Sequence, residues 1–240
     1  MISLVTGGTR GIGSTIVSIL HSRGDQVYTL SRRKNDNDYH ISVDLESKNN
    51  VRKIADKLGN IFIDNLIFCH RYRGNNREKE YEVSVNSVCN VIQTLENRFT
   101  TSASILIVSS PASNFIFNEQ SVEYHASRAA LENLTKYYAV RLGGQGVRCN
   151  CVLPGTVIKE ENRHFFTRDN PVTKMIKRIT PLKRVGEAKD IAYLVDFLCS
   201  KKASFITGQS IYIDGGLSIV GQESLARKLM DLKHPNELRE

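Results

Sequence analysis

The chain has 240 residues, 40% apolar and 24% charged, the balance of an ordinary soluble protein long enough to bury a sizeable core. No apolar run reaches the length of a membrane span and no secretory leader precedes the first apolar run, so a cytoplasmic protein without a membrane partner is expected. A net charge of +8 permits an acidic partner without requiring one; low aromatic content, dispersed charge and the lack of any nucleic-acid motif argue against a nucleic-acid binder. Five cysteines (Cys69, Cys89, Cys149, Cys151 and Cys199) form no Cys-x-x-Cys pair, and the histidines do not cluster. Free thiols and no metal site are therefore expected.

In chain order, residues 2–5 predict a short buried strand, followed by the turn Gly7-Gly8-Thr9-Arg10-Gly11-Ile12-Gly13. Ile12, Ile16, Ile19 and Leu20 then recur at helical spacing, so a helix is expected from near Gly13. Residues 26–30 read as a second strand running into Ser31-Arg32-Arg33-Lys34, and Ile41, Val43 and Leu45 alternate as a third, with Asp44 at its end. Val51, Ile54, Ala55 and Leu58 mark a helix face, and 61–68 a buried apolar run. Residues 71–80 are polar and basic and read as a loop, 81–95 as a helix and 105–108 as a strand. A long helix over 124–142 and a strand over 147–152 end at Pro154-Gly155. Residues 156–181 read as irregular and charged, 190–198 as a helix and 211–213 as a last strand. This alternation predicts one α/β domain over 1–240, a parallel sheet doubly wound with helices on both faces. The tail, 221–240, reads equally as a short packing helix or a frayed end.

A strand, a glycine turn and a helix start together make an anion site. Free backbone N–H groups and the positive end of the helix dipole point at the ligand, and glycine lets it approach closely.

The order and spacing of several short motifs resemble the short-chain dehydrogenase/reductase family, over nearly the whole chain. The motifs are Thr6-Gly7-x-x-x-Gly11-Ile12-Gly13, Asp44, Asn86, Ser109-Ser110, Tyr124-x-x-x-Arg128, Asn150 to Gly155, Pro181 to Gly186, and Ile206 to Gly216. The resemblance implies a Rossmann-like domain and a nicotinamide cofactor held by Gly7, Thr9, Arg10, Gly11, Ile12 and Gly13. It places Asp44 at the adenine and Pro154, Gly155 and Val157 at the nicotinamide. The family usually closes its second strand with an acidic residue for the ribose of NAD. Here Ser31 stands there, followed by Arg32 and Arg33, with Arg10 on the same sheet edge. A 2′-phosphate needs cations, so the expected cofactor is NADP(H).

For the chemistry, the resemblance implies a carbonyl substrate, with Tyr124 as proton donor and Ser110 as hydrogen-bond donor to the carbonyl oxygen. A free tyrosine titrates near pH ~10, and a neighbouring cation favours its phenolate. Position 128, one helical turn on, supplies that cation. The family has lysine there and this chain has Arg128, which keeps the charge but differs in shape and does not give up a proton. Asn86 is expected to shape the site, as the family's asparagine holds a water behind that lysine. Ser110 precedes Tyr124 by 14 positions, one more than usual, which implies an insertion between them.

Other departures are Phe68-Cys69-His70-Arg71 in place of Asn-Asn-Ala-Gly, and Lys159 in place of a threonine. Residues 157–184, within and just beyond the expected substrate loop of about 156–181, hold eight Lys and Arg against three acidic residues; Arg71, Arg73, Arg77 and Lys79 add to them. An anionic substrate (a carboxylate, a nucleotide-linked sugar or a carrier-linked acyl group) and a merely solvated loop both fit that charge. Two functional readings remain: an NADP(H)-dependent carbonyl reductase or alcohol dehydrogenase, and a cofactor-binding homologue whose turnover Arg128 reduces or abolishes. The resemblance also implies a homodimer or homotetramer, for which the Ala130, Leu134 and Tyr138 stripe is a candidate contact.

Overall fold

The strands and helices follow directly from where the apolar runs fall. In the structure, a computed structural model describing residues 1–33 and 37–232, the strands are β1 (Ile2–Thr6), β2 (Gln26–Ser31), β3 (His40–Ser42), β4 (Ile63–Phe68), β5 (Phe99–Val108), β6 (Arg148–Pro154), the short β7 (Val157–Ile158) and β8 (Gly186–Glu187), and β9 (Ser210–Ile213). The helices are α1 (Gly11–Ser22), α2 (Lys48–Leu58), α3 (Arg77–Tyr81), α4 (Ser87–Leu95), α5 (Val122–Gly143), α6 (Arg163–Thr167), α7 (Pro171–Ile179), α8 (Ala188–Leu198) and α9 (Gln222–Leu229). Lys34 of the expected basic run and residues 233–240 of the tail lie outside the described residues.

Seven strands form one parallel sheet in the order β3-β2-β1-β4-β5-β6-β9. This is the doubly wound, Rossmann-like α/β fold. Successive residues of a central strand point to opposite faces, and both faces are covered, which is why these strands are unbroken apolar runs. Leu4, Leu66, Ile105 and Cys151 meet α2, α4 and α5 on one face; Val5, Ile67, Leu106 and Val152 meet α1 and α8 on the other. Tyr138 is buried in the first of these cores and Leu134 packs against it, so the stripe on α5 considered as a partner contact faces inward; Tyr137 and Val140 are the exposed apolar residues of that helix. The chain order reverses between β1 and β4, the switch point at which open α/β sheets bind ligands beyond their carboxyl ends. Among the described residues no helix is long and apolar enough to cross a membrane.

Four local expectations are corrected. The third strand ends at Ser42, leaving Asp44 in the following loop, where its carboxylate accepts the Glu46 N–H. The 71–80 loop already turns helical at Arg77, because the Asn76 side chain caps α3 by accepting the Lys79 N–H. The expected helix over 81–95 is broken by a π-helical turn, Glu82–Asn86, in which the Ser87 N–H reaches back five residues to the Glu82 carbonyl. Residues 156–181 are largely ordered as β7, α6 and α7, the last started by Asn170, which accepts the Thr173 N–H, and by Pro171 at its first position. Of the tail, 222–229 is helical.

Helix α1 begins two residues earlier than expected, and its first turn lies directly on the end of β1. A Cβ on Gly13 would sit 2.3 Å from the Gly7 carbonyl oxygen. Alanine is the better helix former by about 1 kcal/mol, yet Gly13→Ala is expected to destabilise the protein by roughly 1–3 kcal/mol, because that backbone must move. Urea unfolding checks this; an unchanged or raised midpoint contradicts the tight packing.

Candidate active site

The carboxyl ends of β1, β2, β4, β5 and β6 open onto one cleft of about 770 Å³. Gly7, Thr9, Arg10, Gly11, Ile12 and Gly13 line it from the first turn, Arg32, Arg33 and Asp44 from the loops after β2 and β3, and Pro154, Gly155 and Val157 from beyond β6. Ser110, Tyr124 and Arg128 line the same space. Asn86 does not. The π-helical turn leaves it on the exposed surface, where its amide donates to Glu82 at 2.7 Å.

The glycine turn is a cradle of bare backbone. Gly7 has φ +68°, and a Cβ there would come within 2.9 Å of the His70 nitrogen. Beside it, the loop after β2 is held by His40, whose Nε2 donates to the Arg33 carbonyl at 2.7 Å while Nδ1 takes the Thr29 hydroxyl. Arg32 and Arg33 are thus presented on a fixed backbone, and the side chains of Arg10 and Arg32 make no hydrogen bond or ion pair with another described residue.

His70 repeats the device. Its Nε2 donates to the Val83 carbonyl at 2.9 Å, with the Ser87 hydroxyl 2.7 Å away, so Nδ1 accepts from Thr6 at 2.7 Å. The ring ties the end of β1 to the π-helical turn ahead of α4. Desolvation drives its pKa from 6.5 down to about 4 against the opposing bond to the Val83 carbonyl, and the charge of Arg128 adds a smaller push in the same downward direction.

The wall opposite the glycine turn comes from α5 and the end of β5. Ser121 caps α5 by accepting the Tyr124 N–H at 3.2 Å, which puts Tyr124 in the first helical turn, half-buried. Ser110 Oγ accepts the Ala112 N–H that opens the 3₁₀ turn Pro111–Ser113, leaving its own O–H free to donate. Arg128 is 2% exposed. Its guanidinium carbon lies 5.0 Å from the centre of the Tyr124 ring, and Nη2 donates to Glu80 Oε1 at 3.1 Å. The same carboxylate oxygen accepts from Ser84 and Ser127, each at 2.8 Å. Ser109 anchors the α5 backbone by donating to the Arg128 carbonyl. None of Glu80, Ser84, Ser87, Ser127 or His40 stands out in the sequence; the one available signal was an acid four residues before a serine on a short helix.

The family model described as Enoyl-(Acyl carrier protein) reductase matches residues 7–218, most of the chain. The chain belongs to the short-chain dehydrogenase/reductase family. A tropinone reductase homolog of Arabidopsis thaliana is 30% identical over 91% of this chain and 92% of its own length. A short-chain dehydrogenase family protein from Francisella tularensis superposes with a TM-score of 0.81 at 28% identity, covering 91% of this chain and 99% of that one. The RhlG/NADP active-site complex of Pseudomonas aeruginosa gives 0.77 at 27% identity, covering 90% and 95%. Short-chain dehydrogenase/reductases are oxidoreductases that use a nicotinamide cofactor, and the cleft fits one. The close backbone contacts at Gly7 and Gly13 leave no room there for side chains, so the start of α1 lines the cleft as bare backbone, as a phosphate-bearing cofactor needs.

The structure gives His70 a definite stability signature. Its folded pKa of about 4 lies below the ordinary 6.5, so the unfolded chain binds more protons between those values. Its contribution is whole above pH 6.5 and is lost as the pH falls through 6.5 toward 4. Relative to wild type, His70→Gln is expected to show a flatter fall of stability across that window, measured by urea unfolding at each pH; an unchanged slope contradicts a neutral, fully engaged ring.

Proposed function

We propose that this protein is an NADP(H)-dependent carbonyl reductase or alcohol dehydrogenase. The observation that carries the reading is that Ser110 and Tyr124 line the same cleft as the glycine turn, with Arg10, Arg32 and Arg33 at its other side. When bound, the nicotinamide supplies or accepts the hydride. In the reducing direction, the free O–H of Ser110 donates to the carbonyl oxygen as charge gathers on it, and the Tyr124 phenol delivers the proton. Arg128 holds a permanent positive charge against the face of the tyrosine ring, 5.0 Å from its centre, and fixes the ring in place. It keeps its own protons, and Asn86 is turned away. We therefore assign reprotonation of the half-buried Tyr124 to solvent rather than to a relay through the protein.

The three arginines support NADP(H) over NAD(H), as does the NADP of the similar Pseudomonas aeruginosa complex. We propose a carbonyl or alcohol substrate without requiring an anionic one. Lys174, Arg178 and Arg184, three of the eight cations of 157–184, are engaged in surface ion pairs with Asp169, Asp231 and Asp190. A cytoplasmic homodimer or homotetramer completes the reading. The five cysteines are free, as suits a reducing compartment, and Tyr137 and Val140 leave apolar surface on α5.

A second reading, a cofactor-binding protein with reduced turnover, is favoured by one observation: Glu80 holds Arg128 against the ring face. Turnover of NADPH over a panel of neutral and anionic carbonyls separates the two. Under the leading reading Tyr124→Phe lowers kcat by about 10²–10⁴-fold with NADPH affinity intact. Under the second, wild type binds NADPH without turnover and Arg128→Lys raises the rate. Full activity of Tyr124→Phe contradicts both.

A further inference from the structure

The mouth of the glycine turn carries charges that the proposed chemistry does not use. Lys159 and Glu161, on the segment after β7, both reach Gly11, the first residue of α1. A Cβ there would lie 3.0 Å from Glu161 Oε1 and 3.3 Å from Lys159 Cδ. Gly11 has φ +56°, so the chain leaves this position bare of any side chain. The Glu161 carboxylate therefore stands at the helix N-terminus, where the free N–H groups and the dipole favour an anion. Arg73 approaches it at 3.9 Å.

Lys159 is placed differently. Asn162 fixes its backbone by accepting the Lys159 N–H at 2.6 Å and donating to the Val157 carbonyl at 3.1 Å. Its ammonium makes no hydrogen bond or ion pair with another described residue. Burial holds its pKa below the ordinary value, Arg71 and Arg73 add to that, and Glu161 alone opposes it. Lys159 and Arg73 thus face one partly exposed carboxylate, with the charge of Arg71 also felt at Lys159, and all four residues line the cleft.

We propose that Glu161 is a resident anion occupying the diphosphate place in the free protein, and that the dinucleotide's diphosphate displaces it and recruits Lys159 and Arg71 as counter-ions. Residues 157–162 are then an ion-exchange cover over the glycine turn. The exchange forms and breaks no covalent bond; one carboxylate leaves and a more highly charged anion takes its contacts. It assigns Arg71 and Lys159 to the cofactor's phosphates rather than to an anionic substrate. The inference rests on the dinucleotide reading above.

The test is calorimetric binding of inorganic pyrophosphate and of NADPH to wild type, Lys159→Met and Glu161→Gln, with urea unfolding confirming that each variant is folded. Lys159→Met is expected to weaken both ligands by about tenfold. Glu161→Gln is expected to tighten both by about threefold or more, because the competing carboxylate is gone. Affinities within twofold of wild type in both variants overturn the proposal, as does weaker binding by Glu161→Gln, which makes Glu161 a brace for the loop. If pyrophosphate binding responds as expected while NADPH does not bind, the exchange site stands and the dinucleotide reading fails. If NADPH binds and neither variant alters it, the reverse holds.

Discussion

The rest of the molecule depends on one steric constraint, the contact of the first turn of α1 with the end of β1. The Gly7 carbonyl oxygen occupies the place of a side chain at position 13, and the backbone at 69–70 occupies the place of one at position 7. With no side chains between them, β1, the loop after β4 and the start of α1 close on one point. That closure creates the bare, donor-rich mouth to which an anion is drawn. It also brings the loop after β4 so near β1 that residue 70 becomes a structural joint. His70 is shaped for that joint: a neutral ring with one donor and one acceptor, joining a threonine hydroxyl on one side to a carbonyl freed by the π-helical turn on the other.

The same π-helical turn shapes the wall of the cleft that carries Tyr124. By inserting one extra residue into the helical winding it points Asn86 outward and turns Ser84 and Ser87 inward, toward Glu80 and His70. Glu80 in turn holds Arg128. A buried ion pair of this kind adds little net stability, because both charges have been taken from water, but it fixes geometry. Here the fixed geometry is a guanidinium lying under the Tyr124 ring. An arginine at 128 with a carboxylate behind it is a coherent replacement for a lysine with a water relay behind it. Under the proposed chemistry, the charge beside the tyrosine is kept and proton traffic through the protein is given up.

Most of the fold was readable from local pattern. Burial on both sheet faces shows as unbroken apolar runs, and the glycine turn between a strand and a helix announces itself. Tyr124, Ser110 and the arginines after β2 were named with the help of the family resemblance, and the structure brings them to one cleft. The pieces that escaped depend on groups distant in the chain. Glu80 meets Arg128 across 48 positions, and His70 meets Thr6 across 64. The outward turn of Asn86 follows from a one-residue winding change that helical periodicity over 81–95 conceals. The helices within 156–181 were hidden by charge, since α6 and α7 pack few apolar residues and α7 owes its start to capping by Asn170.

The measurement that bears most directly on this account is the affinity of the wild-type protein for NADPH and for NADH under identical conditions. Arg10, Arg32 and Arg33, the last held by His40 on a fixed backbone, line the cleft beside the glycine turn, and the proposed function assigns them to a third phosphate. The account predicts saturable binding of both dinucleotides, with NADPH tighter by about tenfold or more and the gap narrowing as salt is added. Equal affinity, a preference for NADH, or no binding of either would contradict it.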